Sequence, residues 1–167
     1  MQKALSFGGS SRFDNREGLG RYGMGLPNAS LSQCKLVELF SWQSKKLIYK
    51  TSLDLEKVAS GKISSIPKPK PVKPTSLELK SKFSSGTMVC WKECDRLENK
   101  RISTLVRKIT SQLGRMFRHY LWENLIIEIN GRPVQPVDPL FLNKQSLYAK
   151  ALKFGETQIF EFRRPNE

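Results

Sequence analysis

The sequence predicts an α/β chain of the α+β sandwich kind, with a mixed, largely antiparallel sheet and helices on one face. Three observations support this expectation: segments that alternate apolar and polar residues, one long stretch with apolar residues three and four positions apart, and an Asn-Gly pair between two such runs. The 167 residues are 38% hydrophobic and include three Trp, nine Phe and four Tyr. This composition is typical of a globular chain that buries a core.

Besides a hairpin described below, four segments are expected to form strands. Lys35–Trp42 (KLVELFSW) and Lys46–Leu55 (KLIYKTSLDL) alternate apolar and polar positions across a short polar break, which predicts an antiparallel pair. Gly86–Lys92 (GTMVCWK) is apolar enough to lie in the middle of a sheet, and Gln158–Phe162 (QIFEF) alternates again at the end of the chain.

An amphipathic helix is expected at Ile102–Leu121, because its apolar residues recur at the spacing of one helical face. Gly114 is its one weak point, since glycine is a poor helix former. A hairpin is expected next, because Asn130-Gly131 is a strong turn signal and lies between Leu125–Ile129 (LIIEI) and Arg132–Val137.

The chain is strongly basic. It has 29 Lys and Arg against 15 Asp and Glu, a formal net charge of +14, which attracts the phosphates of nucleotides, nucleic acid or anionic lipid. The opening MQKALSFGGSSRF lacks the apolar region of a signal peptide, and no window has the roughly 18 apolar residues of a membrane span. Cys34, Cys90 and Cys94 follow no disulfide framework. We therefore expect a cytoplasmic protein with no membrane partner.

A glycine-rich stretch, GLGRYGMGLPNAS at Gly18–Ser30, runs into a short helix expected at Leu26–Cys34. Gly18, Gly20 and Gly23 fit the G-x-G-x-x-G fingerprint of dinucleotide-binding folds, but that fingerprint must follow a buried parallel strand, and the preceding residues are polar. A P-loop is excluded because Gly-Lys-Ser/Thr is absent. Two alternatives remain: a loop whose backbone N–H groups converge on a phosphate, and a flexible turn that caps the helix.

The order of these features resembles the ATP-binding domain of the GHKL superfamily, which gyrase, the large heat-shock chaperones, histidine kinases and MutL share. GGSSR at 8–12 precedes the glycine-rich stretch, a helix, two antiparallel strands and Gly86-Thr87 at the start of a third strand. The chain is most similar to the MORC type, whose second glycine box reads G-R-[FY]-G-x-G. That box corresponds to GRYGMG at Gly20–Gly25.

The resemblance implies a partial Bergerat-type ATP-binding fold and ATP with Mg²⁺ as the cofactor. In the family the glycine box is the hinge of the ATP lid and its amides hold the β- and γ-phosphates, whereas a Gly-Thr pair lines the pocket floor. By analogy, the nucleotide-binding residues are Ser10, Ser11, Gly20, Arg21, Tyr22, Gly23, Met24, Gly25, Gly86 and Thr87.

The resemblance also implies a division of the chain. Residues 1–98 are expected to form the partial ATP-binding domain, with its lid at Phe7–Gln33 and a Pro/Lys-rich excursion at 60–76. Residues 99–167 are expected to hold the basic helix, the hairpin and the start of a transducer-like region.

One part of the family pattern is missing. The family's first helix carries a Glu that activates water and an Asn that holds Mg²⁺, and an Asp-x-Gly-x-Gly loop contacts adenine. Too few residues precede Gly25 here for both elements. We therefore assign no catalytic residue and expect an N-terminally truncated fragment with negligible ATP hydrolysis of its own. An incomplete sheet would also favour self-association or pairing with the missing segment.

The alternative function is a basic, non-enzymatic nucleic-acid-binding module. Its contacts would come from the Pro-Lys tract and the helix, at Lys68, Lys70, Lys73, Arg101, Arg107, Lys108, Arg115 and Arg118. A solvated surface with ordinary excess charge explains these residues more simply. Cys90 and Cys94 have the spacing of half a zinc site, but only Cys34 and His119 could complete it, so a small core residue is the simpler interpretation of Cys90.

Overall fold

A computed structural model of the protein describes residues 1–11, 13–15, 20–44, 47–73, 83–148, 152 and 155–160. The chain forms two compact units, Met1–Glu98 and Asn99–Glu167. Within the described ranges, no helix is long and apolar enough to cross a membrane.

The first unit contains a four-stranded antiparallel sheet. Its strands are β1 (Leu36–Ser44), β2 (Leu47–Asp54), β3 (Lys70–Val72) and β4 (Gly86–Lys92), in the spatial order β3-β2-β1-β4. The α+β class is confirmed, and β4 has the predicted bounds. The predicted position of β4 is wrong for the described sheet, because the strand lies at an edge and pairs with β1 alone.

Three short helices accompany the sheet: α1 (Gln2–Leu5), α2 (Gly25–Leu31) and α3 (Leu55–Ala59). Apolar residues of α1 and α2 pack on one sheet face, and Nε1 of Trp91 in β4 donates to Oγ of Ser30 in α2 at 2.9 Å. Burying one aliphatic side chain fully contributes roughly 1.5–3 kcal/mol to the stability of the fold. This face is the main core because it buries more residues than the opposite face. Its buried members are Leu5, Cys34, Val37, Leu39 and Leu53.

The opposite sheet face follows the two-residue period of a strand. Phe40, Trp42 and Ile48 are buried there, and Val72, Met88 and Cys90 pack against them. The side chain of Val72 brings β3 into this second cluster, so even the shortest strand of this sheet contributes to the core.

The strand β3 lies inside the expected Pro/Lys-rich excursion. Its residues pair with Ile48–Lys50 of β2, and Pro71 is tolerated because an edge strand needs hydrogen bonds on one side only. The Oγ1 of Thr51 donates to the carbonyl oxygen of Pro67 at 2.7 Å and fixes the approach to the strand. Residues 74–76 of the excursion lie outside the described residues.

The second unit contains α4 (Ile102–Met116), α5 (Arg118–Trp122), β5 (Glu128–Ile129) and β6 (Arg132–Pro133). The predicted single helix is therefore divided at Phe117, whose φ of −100° and ψ of 15° are not helical. The Asn-Gly turn is confirmed, because Asn130 and Gly131 both have positive φ, at 51° and 74°. The hairpin strands are shorter than predicted.

Gly114 is a packing position of α4. It is the one buried residue of that helix, its carbonyl accepts from Val137 N at 2.9 Å, and a Cβ there would overlap the carbonyl oxygen of Gln135. The apolar ends of the helix, Ile102 and Met116, are 72% and 69% exposed. The glycine side of α4 therefore packs against the segment at Gln135–Val137.

The strand predicted at Gln158–Phe162 is not found at residues 158–160, which have no regular structure, and residues 161–162 lie outside the described ranges. Ile159 is 84% and Phe160 73% exposed. Alternation alone does not make a strand, because the backbone also needs a neighbour to bond with.

Candidate functional site

The glycine box Gly20–Gly25 lies directly against the turn that follows α1. Gly23 has a φ of +64°, and a Cβ built on it would lie 2.7 Å from Gly9 C and from Ser10 N. Gly8 N also approaches Sδ of Met24 at 3.0 Å. Only glycine fits such a close backbone approach with a left-handed conformation. The segments Gly8–Ser10 and Gly20–Gly25, which are separated in the sequence, therefore lie against each other. We call this contact the glycine junction.

Gly20 and Gly25 differ from Gly23, because a Cβ added to either would meet no atom within 4 Å. Gly25 begins α2, and Gly20 has a φ of +88°. The space beside both backbones is open, and the first N–H groups of a helix have no intrahelical acceptor. The loop therefore has room for an anion beside its backbone donors.

Three side chains hold the outer part of the loop. Nε of Arg21 donates to the carbonyl of Phe13 at 2.9 Å, and the Arg21 guanidinium carbon lies 5.4 Å from the centre of the Tyr22 ring. The rings of Phe13 and Tyr22 meet edge to face at 5.8 Å. Ser10 lies at the glycine junction and Ser11 is exposed beside it. Arg21 thus brings a fixed positive charge to the loop.

Gly86 and Thr87 contact β1. A Cβ on Gly86 would lie 2.8 Å from the Trp42 ring, and Oγ of Ser41 lies 3.2 Å from Oγ1 of Thr87 and 3.3 Å from the Gly86 carbonyl oxygen. Gly86 and Thr87 therefore contact Trp42 and Ser41, which line a neighbouring pocket, and these contacts do not include the glycine box. Glycine is needed at 86 because the Trp42 ring occupies the space of a side chain.

A pocket of about 380 Å³ opens beside Ser41. The helix α1 connects it with the glycine junction, since Met1, just before α1, lines the pocket and Gly8–Ser10 follow the helix. The pocket is lined by Met1, Ser41, Trp42, Gln43, Ser44, Leu47 and Tyr49.

Sequence reasoning missed a buried ion-pair cluster at Glu38. This side chain is buried in β1, and its two oxygens bind the ammonium groups of Lys50 in β2 and Lys92 in β4. Burial raises the pKa of Glu38, but the hydrogen bonds and positive charges of the two lysines together outweigh burial and lower that pKa below its ordinary value. Since the carboxylate is ionised with both oxygens engaged, it suits structural cross-linking and not proton transfer.

No three His, Cys, Asp or Glu side chains of the described residues gather as a metal site would require. Cys34 is buried and its Sγ donates to the Ser30 carbonyl at 3.2 Å. Burial raises the pKa of this thiol, and the nearby Cys94 raises it further. Cys34 is therefore an unreactive core residue.

The predicted nucleic-acid contacts fall in separate units. Lys68 and Lys70 are exposed near the β3 edge, followed by Lys73, whereas the remaining five belong to the second unit. Of those five, four are exposed and Arg118 is half-buried, donating to the Arg115 carbonyl at 2.9 Å. The four exposed residues are Arg101, Arg107, Lys108 and Arg115. The helix α4 has no acidic residue.

Comparison with known proteins relates the chain to a described family. A family model described as histidine kinase-, DNA gyrase B- and HSP90-like ATPase matches residues 1–87, which is just over half of the 167 residues. The matched region includes the glycine box, its junction with Gly8–Ser10, and Gly86-Thr87. No curated protein and no solved structure matches the chain significantly.

Proposed function

Because the chain belongs to the family of histidine kinase-, DNA gyrase B- and HSP90-like ATPases, we propose that its Gly20–Gly25 loop binds the phosphates of ATP. Within that family we assign it to the MORC type on the GRYGMG box, and we assign 99–167 to the basic helix, the hairpin and the start of a transducer-like region. Both finer assignments rest on the sequence resemblance described above.

The observation that carries the proposal is the difference among the glycines of the box. Gly23 is crowded by the Gly9–Ser10 backbone, whereas Gly20 and Gly25 face open space. Crowding at Gly23 fixes the shape of the loop, and the open positions leave room for phosphate oxygens next to backbone N–H donors. Arg21 supplies a positive charge nearby, and the Ser10 and Ser11 hydroxyls supply further donors.

The adenosine end of the ligand is assigned to the pocket beside Ser41. Its volume of about 380 Å³ lies within the range of small-molecule sites. Trp42 and Tyr49 give it apolar walls, and the Ser41 hydroxyl, which contacts Thr87 Oγ1 at 3.2 Å, gives it a polar group. The family's pocket-floor pair, Gly86-Thr87, would then act through its contact with Ser41.

Metal binding is a poorer fit than phosphate binding. Bound ATP with Mg²⁺ supplies a phosphoryl group open to attack by water, but a protein that hydrolyses it needs groups to hold the metal and orient the water. The described residues contain no cluster of three His, Cys, Asp or Glu. The function we propose for these 167 residues is therefore nucleotide binding without hydrolysis.

A single added methyl group tests the phosphate site. Gly25→Ala places its Cβ in the open space, so we expect the fold to persist and the affinity for a fluorescent ATP analogue to fall at least tenfold, about 1.4 kcal/mol. The measurement is a fluorescence titration of wild type and variant, with circular dichroism to verify the fold.

Ala29→Ser is the matched control, because Ala29 is exposed on the same helix and the change is equally small. It should leave nucleotide affinity unchanged. Equal affinity of wild type and Gly25→Ala would contradict the proposed phosphate site, and no binding by wild type would contradict nucleotide binding altogether.

Nucleic-acid binding is the second candidate, supported by the exposed Arg107 and Arg115 on a helix without acidic residues. A salt titration separates the two functions. Binding of duplex DNA through α4 would weaken steeply with salt, depend little on base sequence, and lose slope in Arg107→Gln. Nucleotide binding at the glycine box would be insensitive to that substitution.

A further inference from the structure

We propose that two copies of this chain pair through their β4 strands, which joins their sheets edge to edge about a two-fold axis. The proposal does not depend on nucleotide binding. It rests on a difference between the two edges of the described sheet and on the residue pattern of β4.

The β3 edge is protected against pairing. The strand is three residues long, contains Pro71, which has no N–H to offer, and carries the exposed Lys70. Pro67, Lys68 and Pro69 precede it. Short length, proline and lysine are the features by which sheets keep an edge from adding another strand.

The β4 edge lacks such protection. The strand is seven residues long and contains no proline. In the part of the chain that the structure describes, no strand pairs with its outer side. Its one charged residue, Lys92, is at the end of the strand and binds Glu38 at 2.8 Å. Val89 and Trp91 remain 40% and 42% exposed.

A second copy fits this edge because the strand is self-complementary. When the axis passes through Val89, antiparallel pairing sets Val89 opposite itself and Trp91 opposite Thr87 of the second copy. The same register sets Met88 opposite Cys90 and Lys92 opposite Gly86. No two like charges oppose each other, the exposed Val89 gains an apolar neighbour directly opposite, and Trp91 gains Val89 of the second copy as a diagonal neighbour. Such an interface uses one patch on both copies and closes at the dimer, because the β3 edges stay protected.

The charge of the chain sets the salt dependence of this association. Each copy carries a formal charge of +14, so long-range repulsion opposes the dimer and salt screens it. We expect the dimer to strengthen with salt. This direction is opposite to that of nucleic-acid binding.

Analytical ultracentrifugation over a wide concentration range tests the pairing. Wild type should form a dimer, and Val89→Lys should be monomeric because it sets two ammonium groups directly opposite each other. Val58→Lys is the matched control, since Val58 is 45% exposed on α3, and it should dimerise like wild type. Wild type that stays monomeric, or a Val89→Lys chain that dimerises, would overturn the proposal.

A cysteine cross-link tests the register even if Val89→Lys does not fold. In a Cys94→Ser background, Met88→Cys should form a covalent dimer on mild oxidation, because the introduced thiol would face Cys90 of the second copy. Val72→Cys in the same background, on the β3 edge, should not. Cross-linking of both variants alike, or of neither, would refute pairing through β4.

Discussion

At the scale of single residues, Glu38 connects three strands through one carboxylate. Lys50 and Lys92 approach it from β2 and β4, and the Lys50 ammonium also lies 5.3 Å from the centre of the Phe40 ring. The lysines are partly exposed, so solvent weakens the pairs below the values of fully buried ones. Sequence could not predict this cluster, because it depends on the register of strands that are distant in the chain.

The lowered pKa of Glu38 makes the sheet sensitive to acid. A carboxylate with a depressed folded pKa stabilises the protein above its ordinary pKa, here 4.5, and that stabilisation is lost as the pH falls through the folded value. Glu38→Gln should therefore lower the free energy of unfolding at neutral pH by about 1 kcal/mol.

Urea unfolding of wild type and Glu38→Gln, at neutral pH and well below pH 4.5, measures this effect. The difference between the two proteins should shrink at the lower pH. Glu56→Gln is the control, because its pair with Lys35 is exposed at the surface, and it should change stability little. A difference for Glu38→Gln that is independent of pH would contradict the assigned role.

At the scale of elements, prediction succeeded where periodicity extends over many residues. The strands β1 and β2 and the helix α4 follow that rule, whereas β4 is predicted from its apolar content. The helices α1 and α3 have four and five residues, too few for a periodic signal. Asp54 is the N-cap of α3, and its Oδ1 accepts from Lys57 N at 3.1 Å. That cap was the one local signal available, because short helices depend on caps and packing.

The helix α4 gives a test at this scale. Alanine is a better helix former than glycine by about 1 kcal/mol, but the Cβ of Gly114→Ala would overlap the Gln135 carbonyl and lie 3.3 Å from Cγ2 of Val137. We expect overpacking to win, with a net loss of about 1–3 kcal/mol.

Hydrogen exchange at Val137 N, which bonds to the Gly114 carbonyl, measures the loss locally. Its protection should fall in Gly114→Ala and stay unchanged in Ser111→Ala, because Ser111 is exposed one turn earlier. Increased protection in Gly114→Ala would mean that helix propensity, and not packing, decides the stability here.

At the scale of the whole molecule, we expect no catalytic turnover. The purified 167-residue chain should release no phosphate from ATP above the buffer rate, with or without Mg²⁺, because we assign it neither a water-activating carboxylate nor a metal anchor. A coupled phosphate assay measures this. Steady, Mg²⁺-dependent release that disappears in Gly25→Ala would contradict the expectation and assign the turnover to this chain.

The candidate site was predictable in part. The glycine motif identified the box from sequence, because a position that is both left-handed and crowded by another backbone segment, as Gly23 is, requires glycine. The closeness of the box to Gly8–Ser10 was implied only by the resemblance, and the pocket at Ser41 was not foreseen. Its walls come from β1 and β2, and only the folded sheet brings them together with Met1.

The hydrogen bond between Trp91 and Ser30 gives the protein a built-in optical reporter. Indole emission depends on the polarity and hydrogen bonding around the ring, and Trp91 is 42% exposed with its N–H donated to Oγ of Ser30 in α2. Any change that moves α2 away from the sheet breaks this bond and shifts the emission. Trp91 can therefore report on the docking of the helix that follows the glycine box without an attached label.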